Sequence, residues 1–260
     1  MSQSQNLYRL LSSDLKEKGD KRFTQADANC CLALSTGSAP SKNPKFWVNE
    51  DSVMAQRLGE DEYLLAVADS HWGGDASEVA IANTHITFSQ SSGSSTERLL
   101  QVVRSVDSII HQEKFDHPKD RSSTTYLLAH IKGKVLSYVS VGDSYLYVFR
   151  EEEAQPISPL KNPFTVGFPV LFLGDTPLDE LQPELLPDHG SLTLQTGDTI
   201  FLATDGIEEE CSALSPVQLS AFFKETSTPL MEQVRTLVQR ADDTEKGGGR
   251  DNLGIAVLQL

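Results

Sequence analysis

The sequence predicts an α+β fold in a single domain, with helices layered on a pair of antiparallel sheets. Three observations carry this. Short apolar segments of strand length flank tight turns containing Gly, as the arms of antiparallel hairpins do. Helical periodicity is confined to two blocks, residues 76–115 and 216–241, so helices are segregated from strands. The chain has 260 residues, enough for a sizeable core, and shows no internal repeat.

Residues 1–20 are polar and mixed in charge and read as an N-terminal tail or short outer helix, with the domain proper running from 21 to 260. Asn29–Ser35 is a short apolar run. Ser52–Leu58 partly alternates, Gly59-Glu60-Asp61 turns, and Tyr63–Ala68 is a strand of the fully buried type, so the two form a hairpin that stops at Asp69. Ala76–Phe88 reads as a helix. Glu97–Phe115 places Leu99, Leu100, Val102, Val103, Val106, Ile109 and Ile110 at helical spacing, with Ser95 or Thr96 as N-cap after the break at Ser89–Ser95. Strands follow at Thr124–Ile131, Val135–Val141 and Tyr145–Arg150, turned by Lys132-Gly133-Lys134 and Gly142-Asp143-Ser144. Residues 151–190 carry Pro156, Pro159, Pro163, Pro169, Pro177, Pro183 and Pro187, and so many prolines predict a functional loop outside the core. Strands resume at Ser191–Gln195 and Thr199–Thr204. Helices follow at Pro216–Glu225 and Pro229–Ala241, each opened by Ser/Thr-Pro as N-cap and N1, and Leu253–Leu260 is a last strand.

Composition narrows the function. Lys and Arg number 22 against 37 Asp and Glu, a net charge of −15, which argues against binding nucleic acid or anionic membranes. No run reaches the ~18 apolar residues of a membrane span, and the first residues lack the basic and apolar regions of a secretory signal. Cys30, Cys31 and Cys211 form neither a disulfide framework nor a metal-ligand spacing, so the chain reads as cytoplasmic with reduced thiols. The surplus carboxylates suit hard cations.

Some of them share a context. Asp69 follows YLLAVA, Asp143 follows VLSYVSVG, Asp205 follows TIFLAT, and Asp251 precedes LGIAVLQL, while Asn49-Glu50-Asp51 opens the hairpin that leads to Asp69. Singly, each Asp beside a Gly reads as a turn residue. Together they suggest a shared centre, because a carboxylate at the end of a buried strand needs a partner and few cations lie near in sequence. Oxygen-only ligation points to Mg²⁺ or Mn²⁺.

In order, these motifs resemble the metal-dependent protein phosphatases of type 2C over residues 29–260. Asn49-Glu50-Asp51 resembles the first acidic motif of that family, and Asp69-Ser70-His71-Trp72-Gly73 its D-G-H-G-G. Ser122-Ser123-Thr124-Thr125 with Ser140-Val141-Gly142-Asp143-Ser144 resembles the G-S-T-A and A-N-x-G-D-S-R pair. Thr204-Asp205-Gly206 resembles S-D-G, and Arg250-Asp251-Asn252 the terminal D-N motif. The resemblance implies a four-layer α-β-β-α sandwich and a serine/threonine phosphoprotein phosphatase using two Mg²⁺ or Mn²⁺ ions, with a weaker third site. It implies that Asp69 bridges the metals and that the Ser70 carbonyl, Asp205, Asp251 and Glu50 complete their shells. Asp143 falls at or near the third site, Asp51 and Asn252 orient ligands, and His71 protonates the leaving group. Segment 151–190 corresponds to the family's flap.

The chain also departs from the pattern. Ser70 and Trp72 stand where the family has Gly, and Tyr145 where it has the Arg of G-D-S-R. Phe46 stands where many eukaryotic members place a phosphate-binding Arg, leaving Lys42 or Lys45 as point-charge substitutes. Two other functions stay open on these residues: a non-catalytic phosphatase-like binding module, and a metallophosphatase acting on a non-protein phosphate ester.

Overall fold

The computed structural model describes residues 6–39, 49–117, 121–150, 153–158, 171–181, 187–224 and 227–260. Their strands form two antiparallel sheets. The first runs β1 (Asn6–Leu10), β4 (Asp51–Gly59), β5 (Glu62–His71), β7 (Tyr126–Lys132), β8 (Val135–Val141) and β11 (Asp188–Thr193), with β6 (Ser123–Thr124) on the end of β5. The second runs β10 (Glu153–Ser158), β9 (Tyr145–Arg150), β12 (Thr199–Ala203), β13 (Leu253–Gln259), β3 (Cys30–Ser35) and β2 (Lys21–Asp27). Helices α1 (Asp75–Gln90) and α2 (Ser95–Asp116) cover the first sheet; α3 (Glu209–Ser212), α4 (Pro216–Ala221) and α5 (Leu230–Ala241) belong to the second.

Strand alternation explains the layering. Val53, Leu65, Val67 and Leu127 of the first sheet meet Leu32, Leu34, Leu146, Ile200, Leu202 and Ala256 of the second in a core between the sheets. The intervening residues Met54, Leu64, Ala66 and Leu128 pack outward against Ala80, Ile81, Leu99, Val102 and Val106 of the first helix pair. Cys31, Ala33, Phe201, Ile255 and Val257 pack outward against Val234, Leu237 and Val238 of α5. Both faces of the central strands are buried, so YLLAVA and TIFLA read as unbroken apolar runs. Each such Leu contributes about 1.5–3 kcal/mol by leaving water. The four-layer α-β-β-α sandwich is thus the observed fold.

Several expectations need correction. Residues 6–20 are not a tail or outer helix: β1 pairs with β4 from Asn6↔Arg57 to Leu10↔Val53, and Leu10 and Leu15 are buried between the sheets. Five residues with polar neighbours carry too little alternation to announce a strand. The polar edge strand β2 was hidden in the same way; it pairs with β3. The N-cap of α2 is Ser94, whose hydroxyl accepts from Glu97 N in a capping box, rather than Ser95 or Thr96. Ser215-Pro216 opens α4 as N-cap and N1, but Pro229 is itself the N-cap of α5.

Segment 151–190 enters the fold more than its prolines suggest. β10 lies at a sheet edge and shifts register between Pro156 and Ser158, the setting in which a strand tolerates proline. Leu173 and Leu178 are buried under α2, where the Asp107 carboxylate accepts from Gly174 N (2.9 Å) and Leu178 N (3.0 Å). Residues 159–170 and 182–186 lie outside the described residues.

His130 tests the packing of α2 on the first sheet. Its ring is buried, with Nδ1 bonded to Ser95 Oγ (2.9 Å) and Nε2 to Glu62 Oε1 (3.0 Å). Burial pushes its pKa down, against the opposing pull of Glu62. A depressed histidine leaves stability intact above its unfolded value of about 6.5 and removes it as pH falls below that. The melting-temperature advantage of wild type over His130→Gln should therefore narrow between pH 7.5 and 5.5. A constant gap would refute this role.

Candidate functional site

The site lies where the two sheets end together. Asp51 on β4 faces Asp69 on β5 in register, and both continue the parity of the side chains that fill the inter-sheet core. From the opposite sheet, Thr204 follows β12 and its Oγ1 donates to Asp51 Oδ2 (2.7 Å) while accepting from Gly254 N (2.8 Å). Gly254 keeps the gap narrow: a Cβ there would stand 2.9 Å from Val53 Cγ1 and 3.4 Å from Asp51 Cβ. Gly206 has a similar reason, since its missing side chain is replaced by the carbonyl oxygen of Asn252. The glycine of Thr204-Asp205-Gly206 thus lets the two chain segments that carry Asp205 and Asp251 pass in contact.

Hydrogen bonds lace these segments to the first sheet. Glu50 N donates to Asn252 Oδ1 (3.1 Å), and Asn252 Nδ2 donates to Thr36 O (3.2 Å), so one buried amide joins the first acidic motif to the last strand. The Glu50 carboxylate accepts from Gly73 N (2.7 Å), and the Glu50 carbonyl accepts from Ser70 N (3.2 Å) and Ser77 Oγ (2.7 Å). Ser70 Oγ accepts from Ser77 N (2.7 Å) in the first turn of α1, which gives a local reason for serine where the resembled motif has glycine. Asp69 is held by its backbone, with its carbonyl accepting from Thr125 N (2.8 Å) and Thr124 Oγ1 (3.0 Å) and its amide donating to Thr125 Oγ1 (3.2 Å).

These contacts crowd the carboxylates. Burial pushes the Asp69 carboxyl well up, and Asp205, Asp51, Asp251 and Asp143 push it further. Asp205 is raised by burial and then by Asp251, Asp143, Asp51 and Glu208. Asp143, in the turn between β8 and β9, is pushed up to about 6, mainly by burial. After burial, the largest influences on Asp69 and on Asp205 are all carboxylates. Among the described residues, however, no three His, Cys, Asp or Glu side chains close into a finished metal cage. His71, on the end of β5, is half-buried with its ring against Phe172 (4.6 Å between centroids); burial lowers its pKa, and Asp251 and Asp175 oppose that.

Asp69, Asp51, Asp143, Asp205 and Asp251 are thus brought into one electrostatic cluster, with Glu50, Ser70, His71 and Asn252 on the segments that bound it. Asp251 is exposed and the other four are buried or nearly so. Lys42, Lys45 and Phe46 lie outside the described residues. Sequence reading named Thr204 and Thr125 within the motifs but gave them no role; they join the strands around the carboxylates. It also missed Phe172, which tertiary packing alone brings against His71.

A family model described as Stage II sporulation protein E (SpoIIE) matches residues 59–260. The chain belongs to the SpoIIE family. The matched part of this SpoIIE chain begins after Glu50 and Asp51 and takes in Asp69, Asp143, Asp205 and Asp251. Rice proteins from Oryza sativa subsp. japonica and subsp. indica, both named "Probable protein phosphatase 2C BIPP2C1", are 35% identical over 117 residues, 42% of this chain and 19% of theirs. The chain therefore spans about a fifth of the length of these curated relatives. Among solved structures, the serine/threonine phosphatase PstP/Ppp of Mycobacterium tuberculosis superposes with a TM-score of 0.67 at 22% identity, covering 92% of this chain and 98% of that one. The PPM Ser-Thr phosphatase MsPP of Mycobacterium smegmatis, solved with cacodylate, gives 0.65 at 21% identity over 89% and 97%. The catalytic domain of PstP in complex with two manganese ions gives 0.66 at 21% over 92% and 97%. The fold of type 2C phosphatases expected from the motifs is the fold of this SpoIIE-family chain.

Thr204 offers the direct test of how the sheets are tied. Thr204→Val keeps its shape but takes a donor from Asp51 and an acceptor from Gly254 N. Leaving buried polar groups unmatched costs about 1–3 kcal/mol. At this chain size that lowers the melting temperature by roughly 2–12 °C. A shift within about 1 °C would show that the bridge holds nothing.

Proposed function

We propose that the carboxylate cluster holds two Mg²⁺ or Mn²⁺ ions and that the chain is a serine/threonine phosphoprotein phosphatase. The observation that carries this reading is the crowding of carboxylates: Asp69 is raised by Asp205, Asp51, Asp251 and Asp143, and Asp205 by Asp251, Asp143, Asp51 and Glu208. Such a set is unfavourable alone and suits a hard divalent cation, since every donor is oxygen. Membership in the SpoIIE family and the rice and mycobacterial likenesses support the same activity.

In this proposal Asp69, the Ser70 carbonyl, Asp205, Asp251 and Glu50 would hold the two ions, and Asp143 would serve a weaker third site. Asp51 and Asn252 orient these ligands through Thr204, Glu50 N and Thr36 O. Two hard cations bound there acidify a water and offset charge on the phosphoryl oxygens. His71 gives its proton to the leaving alkoxide of phosphoserine or phosphothreonine. Lys42 and Lys45 are proposed to supply point charges to the phosphate in place of the Arg replaced by Phe46. The net charge of −15 and the unpaired cysteines fit a cytoplasmic chain in phosphorylation signalling.

The test is phosphate release from an aryl phosphate, with and without Mn²⁺, beside Asp205→Asn. Disturbing even the partners behind a ligand costs about 10- to 100-fold, so loss of Asp205 itself should cost at least about a hundredfold. Activity should also vanish with a chelator. Wild type that shows nothing above the variant in Mn²⁺ would end the phosphatase reading.

A further inference from the structure

Trp72 is the residue the site leaves unexplained. Its side chain is 64% exposed, so core packing does not account for it. Its backbone has φ 68°, a left-handed conformation unfavourable for a bulky residue and free for the glycine of the resembled motif. The chain therefore keeps a strained indole at the surface one residue after His71.

The ring is not isolated. It stands edge-on to His71 (5.7 Å between centroids, 61°) and to Phe172 (6.4 Å, 67°). Phe172 is fixed from its C-terminal side: Leu173 exchanges backbone hydrogen bonds with Thr124 (3.2 and 2.8 Å), and Lys114 Nζ donates to Gly174 O (2.8 Å). The surroundings are acidic. The Glu50 carboxylate is bonded to Gly73 N beside Trp72, and Asp251 and Asp175 both act on His71. Lys114 is directed at Ser123, Gly174 and Asp175 rather than at the ring.

We propose that Trp72 and Phe172 form an aromatic ledge that receives a cationic side chain, Arg or Lys, flanking the phosphorylated residue of a protein substrate. This rests on the phosphatase reading and narrows its substrates to sites phosphorylated in a basic context. An indole face is the best aromatic partner for a cation. A chain of charge −15 also steers basic segments toward itself and repels acidic ones.

The experiment uses two phosphothreonine peptides that differ only in carrying Arg or Glu beside the phosphothreonine. Their kcat/KM values are compared for wild type, Trp72→Gly, which relieves the backbone, and Trp72→Phe, which keeps a ring. Wild type should favour the Arg peptide, and Trp72→Gly should lose roughly two- to thirtyfold of that preference, the span of a cation–π contact, while Trp72→Phe retains most of it. An undiminished preference in Trp72→Gly overturns the ledge and leaves the phosphatase reading standing, because phosphate is still released. If neither peptide is hydrolysed, the phosphatase reading fails and the ledge is judged by binding. The chain has 2 Trp, so in Trp47→Phe the emission reports Trp72 alone. Tighter titration by the Arg peptide than by the Glu peptide upholds the ledge, and equal titration overturns it.

Discussion

Like charges buried together at the mouth of two closely packed sheets are the constraint on which this structure turns. The inter-sheet core brings β4 and β5 against β12 and β13, and the last side chains of β4 and β5 on that face, Asp51 and Asp69, are acidic rather than apolar. Asp51 opposes Asp69 in register, and Thr204 ties Asp51 to the other sheet. Gly206 and Gly254 let the backbones approach where any side chain would hold them apart. Packing thus works against electrostatics, and the hydrophobic layers supply the stability that keeps the carboxylates in place.

Most of the fold was legible because both faces of the central strands are buried. Unbroken runs such as Tyr63–Ala68 and Thr199–Ala203, and the spacing on α2 and α5, need no tertiary knowledge to be recognised. What escaped was written in weak local signals. β1 and β2 are short edge strands whose few apolar residues look incidental until their neighbours are known. β10 contains Pro156 and reads as a loop, and only its edge position with a register shift reconciles the two. The acidic residues of the site were legible as strand-end aspartates in matching contexts. Their mutual coupling was not, because it depends on sheets whose strands come from opposite ends of the chain.

Two departures from the resembled motifs, Ser70 and Tyr145, have local explanations. Ser70 turns a permissive position into a cap, its hydroxyl taking the Ser77 amide at the start of α1. Tyr145 donates its hydroxyl to Glu208 and stacks on Tyr147 at 5.8 Å, so a neutral group serves where the family has a cation. Trp72 alone carries a conformational cost without a matching gain inside the fold. Strain of that kind gathers where a chain meets its ligands.

If the carboxylates are assembled for a cation, their repulsion is a cost the metal-free chain bears. The most direct measurement is the melting temperature of wild type and Asp205→Asn, each with and without saturating Mn²⁺. Removing one buried charge should make the metal-free variant melt above wild type, and Mn²⁺ should reverse the order by raising wild type much further. A variant that melts below wild type without metal, with equal Mn²⁺ shifts in both proteins, would contradict the account.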